Sequence, residues 1–310
     1  MLRNIAVGVD GTPASLAAAH WAAEEAERRE TGLSIVHAWR GHPRPGPNIP
    51  LGRTEREWAE QTLLEAVGSV RAAHPGLRID EHLVCEATVA ALVAPALKAD
   101  VLVLGSLGLG ALGGFVTGSV SQRVVARSER PVVLVRARRS AADEHLPAVD
   151  GVAPEEIPRT PYRAVVLGLD VGHPCDELIA FAFDAARRRE TGLRVVHTFT
   201  MPSRPVSDPS ETAGPVASPP PAPGPETQAA EERAVAAALR PWRDKYPTVS
   251  VTEAVTEGRA APALVHATKD AGLLVVGRRT SGNRPGAHTG PVTHAVLHHV
   301  GCPVVVVPHD

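Results

Sequence analysis

The sequence predicts an α/β fold of two domains, each a five-stranded parallel sheet flanked by helices, on three observations. Short β-branched runs alternate with alanine-rich helical stretches, a glycine-rich segment directly follows one such run, and the whole pattern occurs twice. Strand-helix alternation implies crossover connections, hence parallel strands covered on both faces.

Ile5–Val9 reads as the first strand, and Gly8, Asp10 and Gly11 turn the chain before Thr12-Pro13 supplies a helix N-cap and first helical residue. Ala14–Arg29 is expected to be helical and to stop at Thr31-Gly32. Leu33–Ala38 is a second strand, and Pro43, Pro45, Pro47 and Pro50 mark a loop. Leu63, Val67 and Val70 then recur at helical spacing until His74-Pro75-Gly76 breaks the pattern. Ile79–Cys85 has the length of a third strand; Val89, Leu92, Val93, Ala96 and Leu97 form a helical stripe, and Val101–Leu104 is the fourth strand. After the glycine-rich segment and its helix, Val132–Val135 closes the unit.

Residues 138–162 lack an apolar period and read as a connector between domains at 1–137 and 163–308. The pattern then restarts. Val165–Leu169 with Asp170 repeats Ile5–Val9 with Asp10 at an offset of 160, and the hexapeptide Arg28–Leu33 recurs unchanged as Arg188–Leu193. His37 likewise returns as His197. A Pro/Ser-rich insertion at 201–226, too poor in apolar residues to join a core, lengthens the offset to 172. At that offset Gly105 matches Gly277, Gly118 matches Gly290 and Pro131 matches Pro303. Both copies end in valine-rich strands, Val132–Val135 and Val304–Val307, which are expected to pair and make an internal pseudo-dimer.

A net charge of −2 and a pI near 6.7 exclude the broad basic field of a phosphate-backbone binder. Cys85, Cys175 and Cys302 are too few and scattered for a disulfide framework or zinc site, and no apolar run reaches the ~18 residues of a membrane span. The start lacks the features of a secretion leader, so a cytoplasmic protein is expected.

The segment of the first copy that carries chemistry reads Gly105-x-x-Gly108, nine residues, then Gly118-Ser119, Val120 and Ser121. Glycine lets a ligand approach main-chain N–H groups, and a helix N-terminus concentrates unpaired donors and positive partial charge. Ser119 with Gln122 fits a capping box, so a helix is expected to begin there. No Gly-Lys-Ser/Thr of a P-loop is present. Phosphate charge would therefore be met by backbone dipoles, hydroxyls and a metal ion, Mg2+.

With the halves aligned, the chain resembles a tandem universal stress protein, two Rossmann-like adenine-nucleotide-binding domains in one polypeptide. The resemblance rests on Asp10 and Asp170 after the first strand, His37 and His197 ending the second, and the Gly-x-x-Gly-x9-Gly-Ser motif. It implies ATP as ligand: Asp10 and the main chain of Ala38 at the adenine, Gly105 and Gly108 along ribose and phosphates, and Ser119, Val120 and Ser121 at the triphosphate. The corresponding second site would use Asp170, Thr198, Gly277, Thr280 and Gly290. It departs from the motif, with Thr280 for the second glycine and Pro291 for the serine. Proline has no N–H or hydroxyl, so a weaker second site is expected, with Arg278, Arg279 and Arg284 as compensating cations.

Simpler readings stand beside these. Each strand-end Asp could be a helix cap, each glycine a turn former, and His294 with His298, at i and i+4, a surface pair rather than metal ligands. Trp21, Trp39, Trp58 and Trp242 are expected to be packing residues. No general base or paired metal-binding carboxylates accompany the phosphate loop. A nucleotide-binding regulator with a protein partner is therefore favoured over a slow ATPase or nucleotidyl transferase, or a scaffold without ligand, and a homodimer is one assembly open to it.

Overall fold

The structure is a computed structural model that describes residues 4–40, 54–96, 98–106, 118–137, 141–147, 156, 160–200, 225–280 and 289–310. The first copy runs β1 (Ile5–Val9), α1 (Pro13–Arg28), β2 (Leu33–Trp39), α2 (Glu55–Ala73), β3 (Ile79–Cys85), α3 (Thr88–Ala96), β4 (Val101–Ser106), α4 (Ser119–Arg127) and β5 (Val132–Arg136). The second repeats it as β6 (Val165–Gly168), α5 (Asp176–Arg188), β7 (Leu193–Phe199), α6 (Pro225–Lys245), β8 (Val251–Glu257), α7 (Ala260–Ala267), β9 (Leu273–Arg279), α8 (Pro291–His299) and β10 (Val304–His309).

All ten strands join one sheet, in the order β3-β2-β1-β4-β5-β10-β9-β6-β7-β8. Within each copy the strands are parallel, while β5 and β10 pair antiparallel through Val304 with Leu134, Val305 with Val133 and Val306 with Val132. Two copies related by a two-fold axis must bring their edge strands together in this sense, and the expected pseudo-dimer is present. Alternation along the strands divides the valines between two cores: Val133 and Val305 face one layer of helices, Val132 and Val304 the other. Each core runs unbroken across the seam, so the halves share their apolar interior.

The opening turn forms as expected: Thr12 caps α1, its hydroxyl accepting from Ser15 N–H, with Pro13 as first helical residue. The stop differs. The left-handed residue after α1 is Glu30 (φ 53°), and after α5 Glu190 (φ 49°), rather than the following glycines. A Cβ at Gly32 would first meet the Arg78 guanidinium, at 2.9 Å, the mobile end of a long side chain.

Part of the connector expected from sequence is built into the seam. Ala141–Glu144 forms a 3-10 turn whose Glu144, 2% exposed, accepts from the Trp21 indole N–H, and His145 makes a β-bridge with Tyr162. Around Glu144 the duplicated hexapeptides meet: Arg189 pairs with Glu25 at 2.9 Å, Arg29 reaches Asp184 at 4.0 Å, and Arg188 donates to the Arg28 carbonyl. Trp21 is packed as expected and Trp242 stacks with Phe183, but Trp58 is 39% exposed. Helix α6 begins at Pro225, inside the insertion as delimited from sequence; residues 201–224 lie outside the described residues. Among the described residues no helix is long and apolar enough to cross a membrane.

Candidate functional site

In each copy the strand order reverses direction beside the first strand, between β1 and β4 and between β6 and β9. Crevices at such switch points, beyond the carboxyl ends of the strands, are where open α/β sheets bind ligands. The structure brings Asp10, Ala38, Gly105 and the first turn of α4 to this end in the first copy, and Asp170, Thr198, Gly277, Thr280 and Gly290 in the second. Gly108 and Arg284 lie outside the described residues.

Asp10 is exposed; its Oδ1 accepts from Thr12 N–H at 3.0 Å and the Thr12 hydroxyl at 2.6 Å, fixing the strand-to-helix turn. Its Oδ2 has no partner among the described residues. Asp170 has both oxygens engaged, Oδ1 by Gly172 N–H at 3.0 Å and Oδ2 beside His173 Nδ1 at 3.3 Å. The histidines tie strand ends together: His37 Nδ1 bonds the Val9 carbonyl at 2.7 Å, and His197 Nδ1 the Leu169 carbonyl at 2.9 Å. That contact places a proton on Nδ1 of each ring, and His197 also sets its Nε2 3.2 Å from the Glu231 carboxylate. Ala38 lies one residue beyond the last β1–β2 rung, Val9 with His37, so its main chain is not tied to β1.

Gly105 has a packing reason. A Cβ there would meet Ala14 C at 2.5 Å and Ser15 N at 2.6 Å, so glycine lets β4 pass directly beneath the first turn of α1. Ser121, 7% exposed, donates its hydroxyl to the Gly105 carbonyl at 3.1 Å, and Thr293 repeats this to Gly277 at 3.0 Å. These two hydroxyls bind the helix to the strand end; Ser121 is thereby a positioning residue. The expected capping box is absent. Gly118 is the N-cap of α4 with no side-chain cap bond, Ser119 is the first helical residue, and the Gln122 amide contacts His298 Nε2 across the seam.

Gly118 and Gly290 differ in kind from Gly105. Their φ values, −58° and −59°, suit any residue, and a Cβ at either meets nothing within 4 Å among the described residues. Among the described residues, neither backbone nor neighbours account for glycine there.

Over the second copy lies a cavity of about 1200 Å³, lined by Asp170, His173, Gly277, Arg279, Gly290 and Pro291 and also by Arg127, Ser128 and Glu129 of the first copy. Pro291 is the first residue of α8, so that helix lacks one N–H where α4 has Ser119. Thr280 directs its N–H and hydroxyl to the His309 carbonyl. The His309 ring crowds Gly277, with Nε2 2.6 Å from where a Cβ would stand; the first copy has Ala137 at the matching position. Arg278, expected from sequence to serve a ligand, lines this cavity but is 7% exposed and donates across the seam to the Ser128 carbonyl at 2.6 Å. Among the described residues no group of three or more His, Cys, Asp or Glu is placed to hold a metal, and His294 and His298 are tilted against each other at 4.5 Å between ring centroids.

Fold and repeat define a tandem α/β protein with one glycine-flanked switch point per copy. The model of the universal stress protein family matches residues 1–136 and 161–308, and the chain belongs to that family. It is 33% identical over 318 residues to the universal stress protein Rv2005c of Mycobacterium tuberculosis, covering 98% of this chain and 96% of that one. It is 31% identical over 313 residues to Rv2623 of the same organism, covering 98% and 95%. The crystal structure of a universal stress protein from Archaeoglobus fulgidus shares the fold over 100% of both chains, with a TM-score of 0.66 at 14% identity.

Proposed function

We propose that this universal stress protein is a nucleotide-dependent regulator of the stress response that binds ATP, chiefly in its first copy. The observation that carries the reading is Gly118: glycine at a helix N-cap where neither its φ of −58° nor any neighbour among the described residues demands one. What the missing side chain leaves is access to the first N–H groups of α4, the partial positive charge an anion seeks. Asp10 and the main chain of Ala38 take the adenine, Gly105 and Gly108 border ribose and phosphates, and Ser119, Val120 and Ser121 supply the helix turn that meets the triphosphate. Mg2+ would be held by phosphate oxygens and water, as suits that ion.

Three contacts support weaker binding in the second copy: both Asp170 oxygens are engaged, Thr280 is spent on the C-terminal strand, and Pro291 offers no N–H. A lost charge-assisted hydrogen bond is worth about 1.5–3 kcal/mol, roughly tenfold or more in affinity. N–H groups and hydroxyls neutralise charge without moving protons, which favours retention of ATP over turnover. The nucleotide then acts in the cytoplasm by changing how the chain, alone or as a homodimer, presents itself to a protein partner.

The test is the ligand carried by protein purified without added nucleotide. Adenine nucleotide released on denaturation supports the reading; none released, and none taken up from ATP solution, contradicts it.

A further inference from the structure

Two arginines cross the seam to equivalent points of the opposite copy. Arg278, beside Gly277 at the end of β9, donates to the carbonyl of Ser128, the C-cap of α4, at 2.6 Å. Arg136, at the end of β5, donates to the carbonyl of Val300, the C-cap of α8, through Nε at 3.3 Å and Nη2 at 3.2 Å, and to Leu297 O. Ser128 and Val300 match at the 172-residue offset. The same Arg136 donates Nη1 to the Ser106 hydroxyl at 2.7 Å, next to Gly105.

With Ser121 holding Gly105 and Thr293 holding Gly277, these contacts close a ring. From the first-copy strand end it passes along α4 to Ser128, through Arg278 to the second-copy strand end, along α8 to Val300, and through Arg136 back to Ser106. Helix α4 is nine residues, about 13 Å, and joins a candidate cradle at its N-terminus to the second-copy cavity at its C-terminus. Both arginines are buried, Arg136 4% and Arg278 7% exposed, so neither bond is shared with solvent as a surface contact is.

One link can exchange partners. Arg278 lines the second-copy cavity, and its buried Nε has no hydrogen-bond partner among the described residues. An anion entering the cavity competes with the Ser128 carbonyl for the guanidinium, and charge-assisted bonds to an anion are the stronger. We propose that the two crevices are coupled antagonistically through this ring, an anionic ligand in the second-copy cavity drawing Arg278 off Ser128 and loosening the first-copy cradle at the other end of α4. The inference rests on the nucleotide reading above. It supplies what coupling requires: two sites, two arrangements, and a contact that differs between them.

The test uses the full chain with one site closed at a time. In Gly118→Val, where only the second-copy cavity can take ATP, saturating ATP is expected to speed hydrogen exchange at the α4 amides; unchanged exchange with ATP bound overturns the coupling. In Gly290→Val, where only the first copy binds, adding Arg278→Met should raise the Kd for ATP about fivefold, with Arg278→Lys recovering most of the loss. An unchanged Kd overturns the proposal. The exchange experiment keeps Arg278 intact, so it decides the matter even where Arg278→Met unfolds. ATP binding by Gly290→Val but not Gly118→Val removes the second site, overturning the coupling while the nucleotide reading stands; binding by neither ends both.

Discussion

Arg189 Nη2 stands 2.9 Å from Glu25 Oε2, an ion pair between the two copies in which the side chains are 1% and 2% exposed. Arg189 belongs to the second copy's hexapeptide, and Glu25 to the last turns of α1, just before the first. Removing one partner of a buried pair leaves an uncompensated charge, so Glu25→Gln should cost about 3–5 kcal/mol. Urea unfolding checks this, and both halves should lose stability together because their cores are continuous.

The same carboxylate makes stability depend on acid. Burial alone would raise the pKa of Glu25, but Arg189, Arg29 and Arg28 outweigh it and hold the group at about 2 against an ordinary 4.5. A lowered carboxylate pKa stabilises the fold above the ordinary value and loses that contribution as pH falls through the folded one. About 3 kcal/mol should therefore disappear between pH 4.5 and pH 2, and that part of the slope should be missing in Glu25→Gln.

Gly105→Ala and Gly118→Ala should behave oppositely. The first drives a methyl into the Ala14 carbonyl carbon at 2.5 Å, backbone that cannot swing aside, and should cost about 1–3 kcal/mol or more in thermal unfolding. The second meets nothing among the described residues, at φ −58°, and should leave stability unchanged or raise it by about 0.4–1 kcal/mol.

Ser121→Ala removes the hydroxyl that holds α4 to the Gly105 carbonyl. A loss near 1 kcal/mol in stability is expected, together with weaker ATP binding, because the helix turn that meets the phosphates is no longer held. Equal ATP affinity in calorimetry would show that this contact does not position the site.

The parallel strands and the pairing of the terminal strands were legible because they follow from repetition: two copies of an alternating pattern leave Val132–Val135 and Val304–Val307 as matching edges. The cap at Thr12-Pro13 was legible because it is local. What escaped is what depends on the copies meeting. Glu144 reads as connector because its partners, Trp21 and Arg189, lie far away in sequence. Gln122 matches a capping box but faces His298, and Arg278 looks like a ligand cation but is bound to Ser128. Seam geometry decides each of these, and no local spacing reports it.

Calorimetric titration of ATP into the wild-type chain, Gly118→Val and Gly290→Val tests the central claim most directly. Binding by the wild type, retained in Gly290→Val and lost for its tighter part in Gly118→Val, is the expected result. No heat with the wild type, or undiminished binding in Gly118→Val, would contradict the account.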